Sequence, residues 1–162
     1  MKNPELQKQL TAIKSLIADT SSARVSGEVD NFELQGHWAR YLCILSAGFI
    51  ENAVKELYID YARRTVSGPI ARFVESRLGG LRNPKSETIL VIASQFKPDW
   101  EADLSIYMED RLRGDAINSI MDNRHQIAHG KYKNSTVSIS KIQDFLYRSV
   151  EVLEYIEKQC HT

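Results

Sequence analysis

The stretch from Phe32 to Arg64 constrains the fold more than any other part of the sequence, because its apolar residues recur at the spacing of one long helix. The apolar residues of its first half are Trp38, Tyr41, Leu42, Leu45 and Phe49, and those of its second half are Ile50, Val54, Leu57, Tyr58 and Tyr61. The two sets lie on different faces, so the helix must contact different neighbours along its length. The pattern therefore predicts a central helix.

The residues before this helix predict a first helix and a loop. Asn3 can cap the first helix, and Pro4 suits its first position. Its apolar stripe consists of Leu6, Leu10, Ile13 and Ile17. The stretch from Asp19 to Asp30 is rich in Ser and Thr and is predicted to be a loop. Asp30 and Glu33 resemble a capping box at the start of the central helix.

Glycine, proline and capping residues divide the rest of the chain into five further helices. The predicted segments are Ser67-Gly68-Pro69 to Gly79-Gly80, Pro84 to the residue before Pro98, Asp99 through Met108, Asp115 to His129 after a hinge at Gly114, and a last helix with a capping box at Ser140 and Gln143. The stretch from Thr136 to Ile139 is the only candidate strand. The sequence predicts one all-α domain over residues 1–162, an up-and-down bundle of four to five main helices with short connecting helices.

Composition and size indicate a cytoplasmic globular protein without a cofactor. The chain has 162 residues, enough for a real core, and its longest apolar run, Tyr41 to Ile50, is too short to span a membrane. No signal-peptide pattern follows Met1. The two cysteines, Cys43 and Cys160, lack the spacing of metal ligands.

Basic residues are concentrated in two stretches although the net charge is zero. The neutral chain argues mildly against a protein whose main task is to grip long nucleic acid. The first stretch contains five arginines and one glutamate: Arg63, Arg64, Arg72, Arg77, Arg82 and Glu75. The second runs from Arg111 to Lys133 and includes Arg124 and Lys131. Arginine suits phosphate better than lysine does, so these residues are candidate nucleic-acid contacts, with an ordinary solvated surface as the alternative.

The helix from Asp115 to His129 contains an arginine on its apolar face. At 100° per residue, Arg124 lies among Ile117, Ile120 and Ile127. An unpaired buried charge costs several kcal/mol. Arg124 must therefore pair with a carboxylate, face a cleft or lie at a subunit interface.

His129 follows five residues after Arg124 and points about 140° away from it on a straight helix. The two side chains can share one cleft only if the helix end unwinds near Gly130 or if they meet across a dimer. His125 and His129 could hold a metal together with Asp122, but no acidic residue lies between the two histidines as in metalloproteases, and no metal site is predicted. Basic residues followed by glycine are also typical of a plain helix C-terminus.

The segment from Asn123 to Gly130 resembles the R-x4-6-H motif of the HEPN superfamily, with Arg124 and His129 as its two ends. His125 matches the polar residue that often follows the arginine in this family. Glu51 and Lys55 resemble the E-x3-K feature of some HEPN branches. The pattern is most similar to the small RiboL-PSP-type HEPN proteins, and it covers the part from Asp115 to Glu157 best.

This resemblance implies a homodimer and, in many members, metal-independent RNA cleavage with two motifs brought together across the dimer. The RNA supplies its own 2′-OH nucleophile and leaves a 2′,3′-cyclic phosphate. His129 would exchange the proton and Arg124 would hold the phosphate oxygens, with His125, Asn123, Glu51 and Lys55 in support. We expect Glu51 within salt-bridge or water-bridged reach of Arg124.

The sequence leaves three functions open. The first is an endoribonuclease that serves as a toxin or phage-defence effector, with RNA as its substrate and an antitoxin or defence protein as its partner. The second is a non-catalytic HEPN module that binds RNA or nucleotide, or that dimerises. The third is a helical interaction protein in which the motif is only a helix cap. The arginines from Arg63 to Arg82, with Lys131 and Lys133, are expected to flank the RNA cleft.

Overall fold

The computed structural model describes residues 1–25, 32–131 and 137–161, and within these ranges it contains seven α-helices, one 3-10 turn and no strand. The helices are α1 (Pro4–Val25), α2 (Phe32–Thr65), α3 (Gly68–Gly79), α4 (Ser86–Phe96), α5 (Pro98–Glu109), α6 (Arg113–Ala128) and α7 (Ile139–Cys160), with the 3-10 turn at Asp110–Leu112. The predicted all-α fold is confirmed. No helix in the described ranges is long and apolar enough to span a membrane.

The core surrounds α2, which packs against α1, α3, α6 and α7. Leu42 and Cys43 are fully buried in its first half, and Val54 and Tyr58 are fully buried in its second half. The change of apolar face along α2 therefore gives the central position that the sequence predicts. Tyr41, predicted to face the core, is instead 48% exposed, because the helices packed on α2 leave that side of its first half open.

The directions of the long helices follow from their links and contacts. Residues 26–31 join α1 to α2, and helices joined by so short a link run antiparallel. The first turn of α1 lies beside the C-terminal part of α7, where the Met1 amine pairs with Glu154 at 3.2 Å. Ile17, farther along α1, lines a groove with Leu146, which precedes Glu154. Helix α1 is thus antiparallel to both α2 and α7.

Helix α6 runs antiparallel to α2 in a register that one contact defines. Residues 129–138 join α6 to α7, and near the start of α6 the Nε of Arg113 donates to Glu151 of α7 at 2.8 Å, so these two helices are antiparallel. Because α2 and α7 run in the same direction, α6 opposes α2. The Cys43 thiol donates to the backbone oxygen of Ile120 at 3.6 Å and places these two residues side by side.

The ends of α1 and α7 differ from the predicted ones. Helix α1 continues through Val25 where a loop from Asp19 is predicted. The hydroxyl of Thr20 donates to the carbonyl of Leu16 one turn earlier, so this polar side chain is accommodated within the helix. The N-cap of α7 is Ser138, whose Oγ accepts from the N–H of Lys141, so the predicted capping box at Ser140 and Gln143 is wrong. Ile139 is helical and not part of a strand. Thr136 and Asp30 lie outside the described residues.

The starts of α4, α5 and α6 also differ from the predicted ones. Asn83 has φ 50°, so Pro84 lies outside α4, which begins at Ser86. Lys97, not Asp99, is the N-cap of α5.

The break before α6 lies at Arg111 and Leu112, with φ 54° and 53°, and not at Gly114, which is buried in the first turn of the helix. Arg113 is 5% exposed and anchors this start through ion pairs with Asp110 and Glu151.

Candidate active site at the end of α6

Arg124 lies on the core-facing side of α6, in helical register with the fully buried Ile117 and Ile120. The side chain is half-buried in the last turn of the helix. Within the described part of the chain it makes no hydrogen bond or ion pair. A guanidinium in this position has lost part of its water without gaining a carboxylate, so an anionic group that reaches it is bound favourably.

Gly130 ends α6 in a Schellman motif. Its φ is 70°, its N–H donates to the oxygen of Ile127 at 3.1 Å, and the N–H of Lys131 donates to the oxygen of Gln126 at 2.9 Å. The helix is therefore unbroken through Ala128, and His129 is its C-cap. Unwinding of the helix end does not bring Arg124 and His129 into one cleft, which leaves a second copy of the chain as the remaining way to join them.

His125 and His129 lie next to each other on the exposed side of the same helix end. Their ring centroids are 4.3 Å apart, and the rings are tilted by 55°. Both side chains are exposed, so a substrate can reach either imidazole. Together with Arg124 they place two proton-exchanging groups and one cation within the last turn and the C-cap of α6.

The polar residues beside the motif are oriented by the helix itself. The Nδ2 of Asn123 donates to the oxygen of Ser119 one turn earlier at 2.8 Å. Gln126 is half-buried, and its Oε1 is a buried acceptor without a donor among the described residues. An acceptor in this state can bind a hydroxyl or amino group of a ligand. Sequence periodicity gave no reason to single out Gln126, because a glutamine at this spacing is equally common on a solvated surface.

Glu51 is bound elsewhere, so the predicted pairing with Arg124 is wrong. Its carboxylate accepts from the backbone N–H of Asn83 at 2.7 Å and pairs with Lys55 at 3.0 Å and with Arg82 at 3.7 Å. Cys43 of α2 and Ile120 of α6 lie at the same level. Glu51 is eight residues after Cys43 on α2, and Arg124 is four residues after Ile120 on α6. Because the two helices are antiparallel, these offsets point in opposite directions and add. At 1.5 Å per residue this is about 18 Å along the bundle.

Glu51 has a definite structural role at that place. Burial raises the pKa of this carboxyl, but the Asn83 N–H and the Lys55 ammonium outweigh the burial and hold the pKa below its ordinary value of 4.5. Glu51 and Lys55 therefore hold the segment between α3 and α4 against α2, in a region apart from the motif.

The predicted basic cluster divides into bound and unbound arginines. Arg63 pairs with Glu75 at 2.7 Å, Arg64 with Asp60 at 3.1 Å, and Arg82 with Glu51. Arg72 and Arg77 are exposed and make no hydrogen bond or ion pair in the described part of the chain. Lys131 is exposed just after the motif, and Lys133 lies outside the described residues.

The arginines from Arg63 to Arg82 are far from Arg124 within one protomer. Arg63, which holds Glu75 of α3, lies 20 residues beyond Cys43 on α2, and Arg124 lies four residues the other way. Arg63 is therefore about 36 Å from Arg124 along the helix axes, and Arg82, which pairs with Glu51, is near the level of Glu51, about 18 Å from Arg124. In a single chain these arginines do not line the same cleft as the motif.

No group of three or more His, Cys, Asp or Glu side chains in the described ranges is arranged to hold a metal ion. Asp122, one turn before the histidines, pairs with Lys85 at 2.6 Å.

Comparison with known proteins identifies the family to which this geometry corresponds. A family model described as RiboL-PSP-HEPN matches residues 4–162, which is nearly the whole chain. Searches of the curated proteins and of the solved structures gave no significant match.

Proposed function

The chain belongs to the RiboL-PSP-HEPN family, and on this premise we propose that it is a metal-independent endoribonuclease whose active site is the end of α6. Family membership indicates a nuclease or RNA-binding type of function. The observation that carries the finer proposal is Arg124, a half-buried guanidinium without a partner among the described residues, at the same helix end as two accessible imidazoles.

Each residue has a step that its chemistry suits. A neutral imidazole accepts the proton of the 2′-OH, whose oxygen attacks the adjacent phosphorus. The P–O5′ bond breaks, and the 5′-oxygen leaves with a proton supplied by a protonated imidazole. Arg124 binds the non-bridging oxygens as negative charge grows on them. The products are a 2′,3′-cyclic phosphate and a 5′-hydroxyl. His129 accepts the first proton in this proposal, and His125 lies next to it.

The proposal includes a homodimer, because Arg124 and His129 diverge on one straight helix. An exposed stripe on α2 supports it. This stripe, called the α2 stripe, contains no Lys, Arg, Asp or Glu and consists of Leu34, His37, Trp38, Tyr41, Ile44, Leu45 and Gly48. Tyr41 is 48% exposed and Ile44 is 42% exposed. An uncharged stripe can face a copy of itself without like-charge repulsion.

Cleavage of RNA by purified protein in EDTA tests the proposal. Wild-type protein should release fragments that end in a 2′,3′-cyclic phosphate, and Arg124→Ala and His129→Ala should each lower the rate by at least about a hundredfold. Arg124→Lys should recover only part of the activity, because lysine keeps the charge but loses the two-pronged contact. Circular dichroism should show that each variant keeps its helicity.

The matched control is Arg148→Lys, since Arg148 lies on α7 and binds the carbonyl oxygens of Arg111 and Leu112 at the opposite end of α6. Its cleavage rate should equal that of the wild type. Loss of wild-type activity in EDTA, with recovery on addition of zinc or magnesium, would show that the mechanism is wrong.

The proposal also includes a role as a toxin or phage-defence effector, with an antitoxin or defence protein as partner. Expression of the wild type should then arrest growth, and expression of His129→Ala should not.

A further inference from the structure

Helix α3 exposes an aromatic and aliphatic stripe that no described helix covers. Phe73 is 65% exposed and Ile70 is 53% exposed. Arg77 lies four residues after Phe73 and seven after Ile70, so all three side chains share one side of the helix. The face of α3 that packs on α2 is different and contains Ala71, Val74 and Leu78.

The surroundings of this stripe are positively charged. Residues 60–82 contain five arginines and two acidic residues, a net charge of +3, and the rest of this neutral chain therefore carries −3. The two acidic residues, Asp60 and Glu75, are each occupied by an arginine. Arg72 and Arg77 remain without a partner among the described residues. The surface thus combines an exposed ring with unpaired guanidinium groups.

We propose that the surface formed by Ile70, Phe73 and Arg77 on α3, with Arg72 on the neighbouring exposed side, binds single-stranded RNA, with a base stacked on Phe73 and phosphates held by the arginines. Bases of any sequence stack on an aromatic ring, and arginine holds phosphate with two donors. The charge on this surface matches a polyanion, whereas the remainder of the chain is acidic. The inference rests on the proposed function for its substrate class but concerns a second contact. Helix α3 lies between the levels of Arg63 and Glu51 on α2, so this contact is between about 18 and 36 Å from Arg124 along the bundle of the same protomer.

This distance sets the length of RNA that can use both sites of one protomer. A stacked strand advances about 3.4 Å per nucleotide, so about five to ten nucleotides span the separation. A tetranucleotide can reach the motif but cannot reach α3 at the same time. The α3 surface should therefore increase the affinity for long single strands and leave the chemistry of cleavage unchanged.

Binding can be measured without cleavage by fluorescence anisotropy of a labelled, unstructured 20-nucleotide RNA whose 2′-hydroxyls are methylated. Phe73→Ala should weaken binding about tenfold, because one stacked base contributes roughly that factor. Phe73→Leu should weaken binding by a similar factor, and Phe73→Tyr, which keeps an aromatic ring, should bind as the wild type does. Arg77→Ala should also reduce the slope of log affinity against log salt by about 0.7.

Each matched control removes an exposed ring or an exposed cation from another helix. Tyr147→Ala removes an aromatic ring that is 59% exposed on α7, and Lys8→Ala removes an exposed cation on α1. Both should bind the 20-nucleotide RNA as the wild type does. In cleavage assays, Phe73→Ala should raise the KM for a 20-nucleotide substrate and leave the cleavage of a tetranucleotide unaltered.

The inference is overturned if Phe73→Ala binds as tightly as Tyr147→Ala, or if Phe73→Leu binds like the wild type. The second outcome would show that Phe73 contributes an apolar contact and not base stacking. Absence of cleavage with binding that depends on Phe73 would remove the proposed nuclease activity and leave the α3 surface as an RNA-binding site.

Discussion

At the scale of single residues, Gly130 connects the end of α6 with the position of His129. Its φ of 70° allows the two backbone hydrogen bonds of the Schellman motif, and these hold the C-cap in place. Other residues in this conformation are strained, and only asparagine and aspartate adopt it with some ease. The geometry of the candidate active site thus depends on a residue that has no reactive group.

Gly130→Ala should lower the free energy of unfolding by about 1 kcal/mol, because alanine is strained at this φ. It should also reduce RNA cleavage, since His129 is displaced when the cap rearranges. Gly130→Asn should lose less stability and less cleavage activity than Gly130→Ala. Urea denaturation and initial cleavage rates measure the two effects. Gly79→Ala is the control: no atom lies within 4 Å of the added methyl group, and unchanged or slightly raised stability is expected. A Gly130→Ala protein as stable and active as wild type would contradict the role of this cap.

At the scale of elements, the segment between α3 and α4 is attached to α2 by one carboxylate. Glu51 is 18% exposed, and it binds the backbone of Asn83 as well as Lys55 and Arg82. The residues that resemble the E-x3-K feature therefore act here on the chain that leads into α4. Because α4 and Lys85 contact α6 through Asn118 and Asp122, this attachment also stabilises the helix that carries the motif.

Glu51→Gln should lower the free energy of unfolding by about 1 to 2 kcal/mol at pH 7, since a charged hydrogen bond and an ion pair are lost. The pKa of Glu51 is depressed in the folded state, so its contribution is present above the ordinary value of 4.5 and is lost as the pH falls below it. The difference between wild type and variant should therefore shrink below about pH 4.5. Denaturation from pH 3.5 to 8 measures it, with the exposed Glu101→Gln as control. A difference that is independent of pH would contradict this account.

At the scale of the whole molecule, the positions of the α2 stripe and of Arg124 are related. The contact between Cys43 and Ile120 places Arg124 at the level of residue 39 of α2, within the span of the stripe from Leu34 to Gly48. A second copy that packs on this stripe would lie at the same level of the bundle as the motif. Gly48 has open space around it, so a neighbouring helix can approach the backbone of α2 closely.

If the protein forms the proposed dimer, Tyr41→Glu and Ile44→Glu should each convert it to a monomer, because a symmetric interface brings two added charges together. Sedimentation velocity at micromolar concentration measures the oligomeric state. Both side chains are partly exposed, so helicity should be retained while RNA cleavage falls with the fraction of dimer. Ile106→Glu, at a residue that is 70% exposed on α5, should leave the dimer intact. A wild-type monomer that cleaves RNA at its full rate would rule out the composite site.

Much of the local structure of this protein is determined by its sequence alone. Helical spacing and caps predict the long central helix, the start of α1 at Pro4 after the cap Asn3, and the end of α6 at Gly130. The same spacing places Arg124 on an apolar face, and the R-x4-6-H pattern led to the family that the match over residues 4–162 confirms. These features depend on residues within about four positions of each other, where the geometry of the helix is the same in every fold.

The relations between distant segments were decided only by the tertiary structure. Glu51 was expected beside Arg124 and is offset from it by about 18 Å along the bundle, because the register of two packed helices depends on side chains that interlock across them and not on periodicity within either. The arginines from Arg63 to Arg82 are remote from the motif for the same reason. The left-handed residues Asn83, Arg111 and Leu112 are held by partners more than thirty positions away, such as Glu51 and Arg148. Packing between segments far apart in the chain selects such conformations, so local propensity does not reveal them.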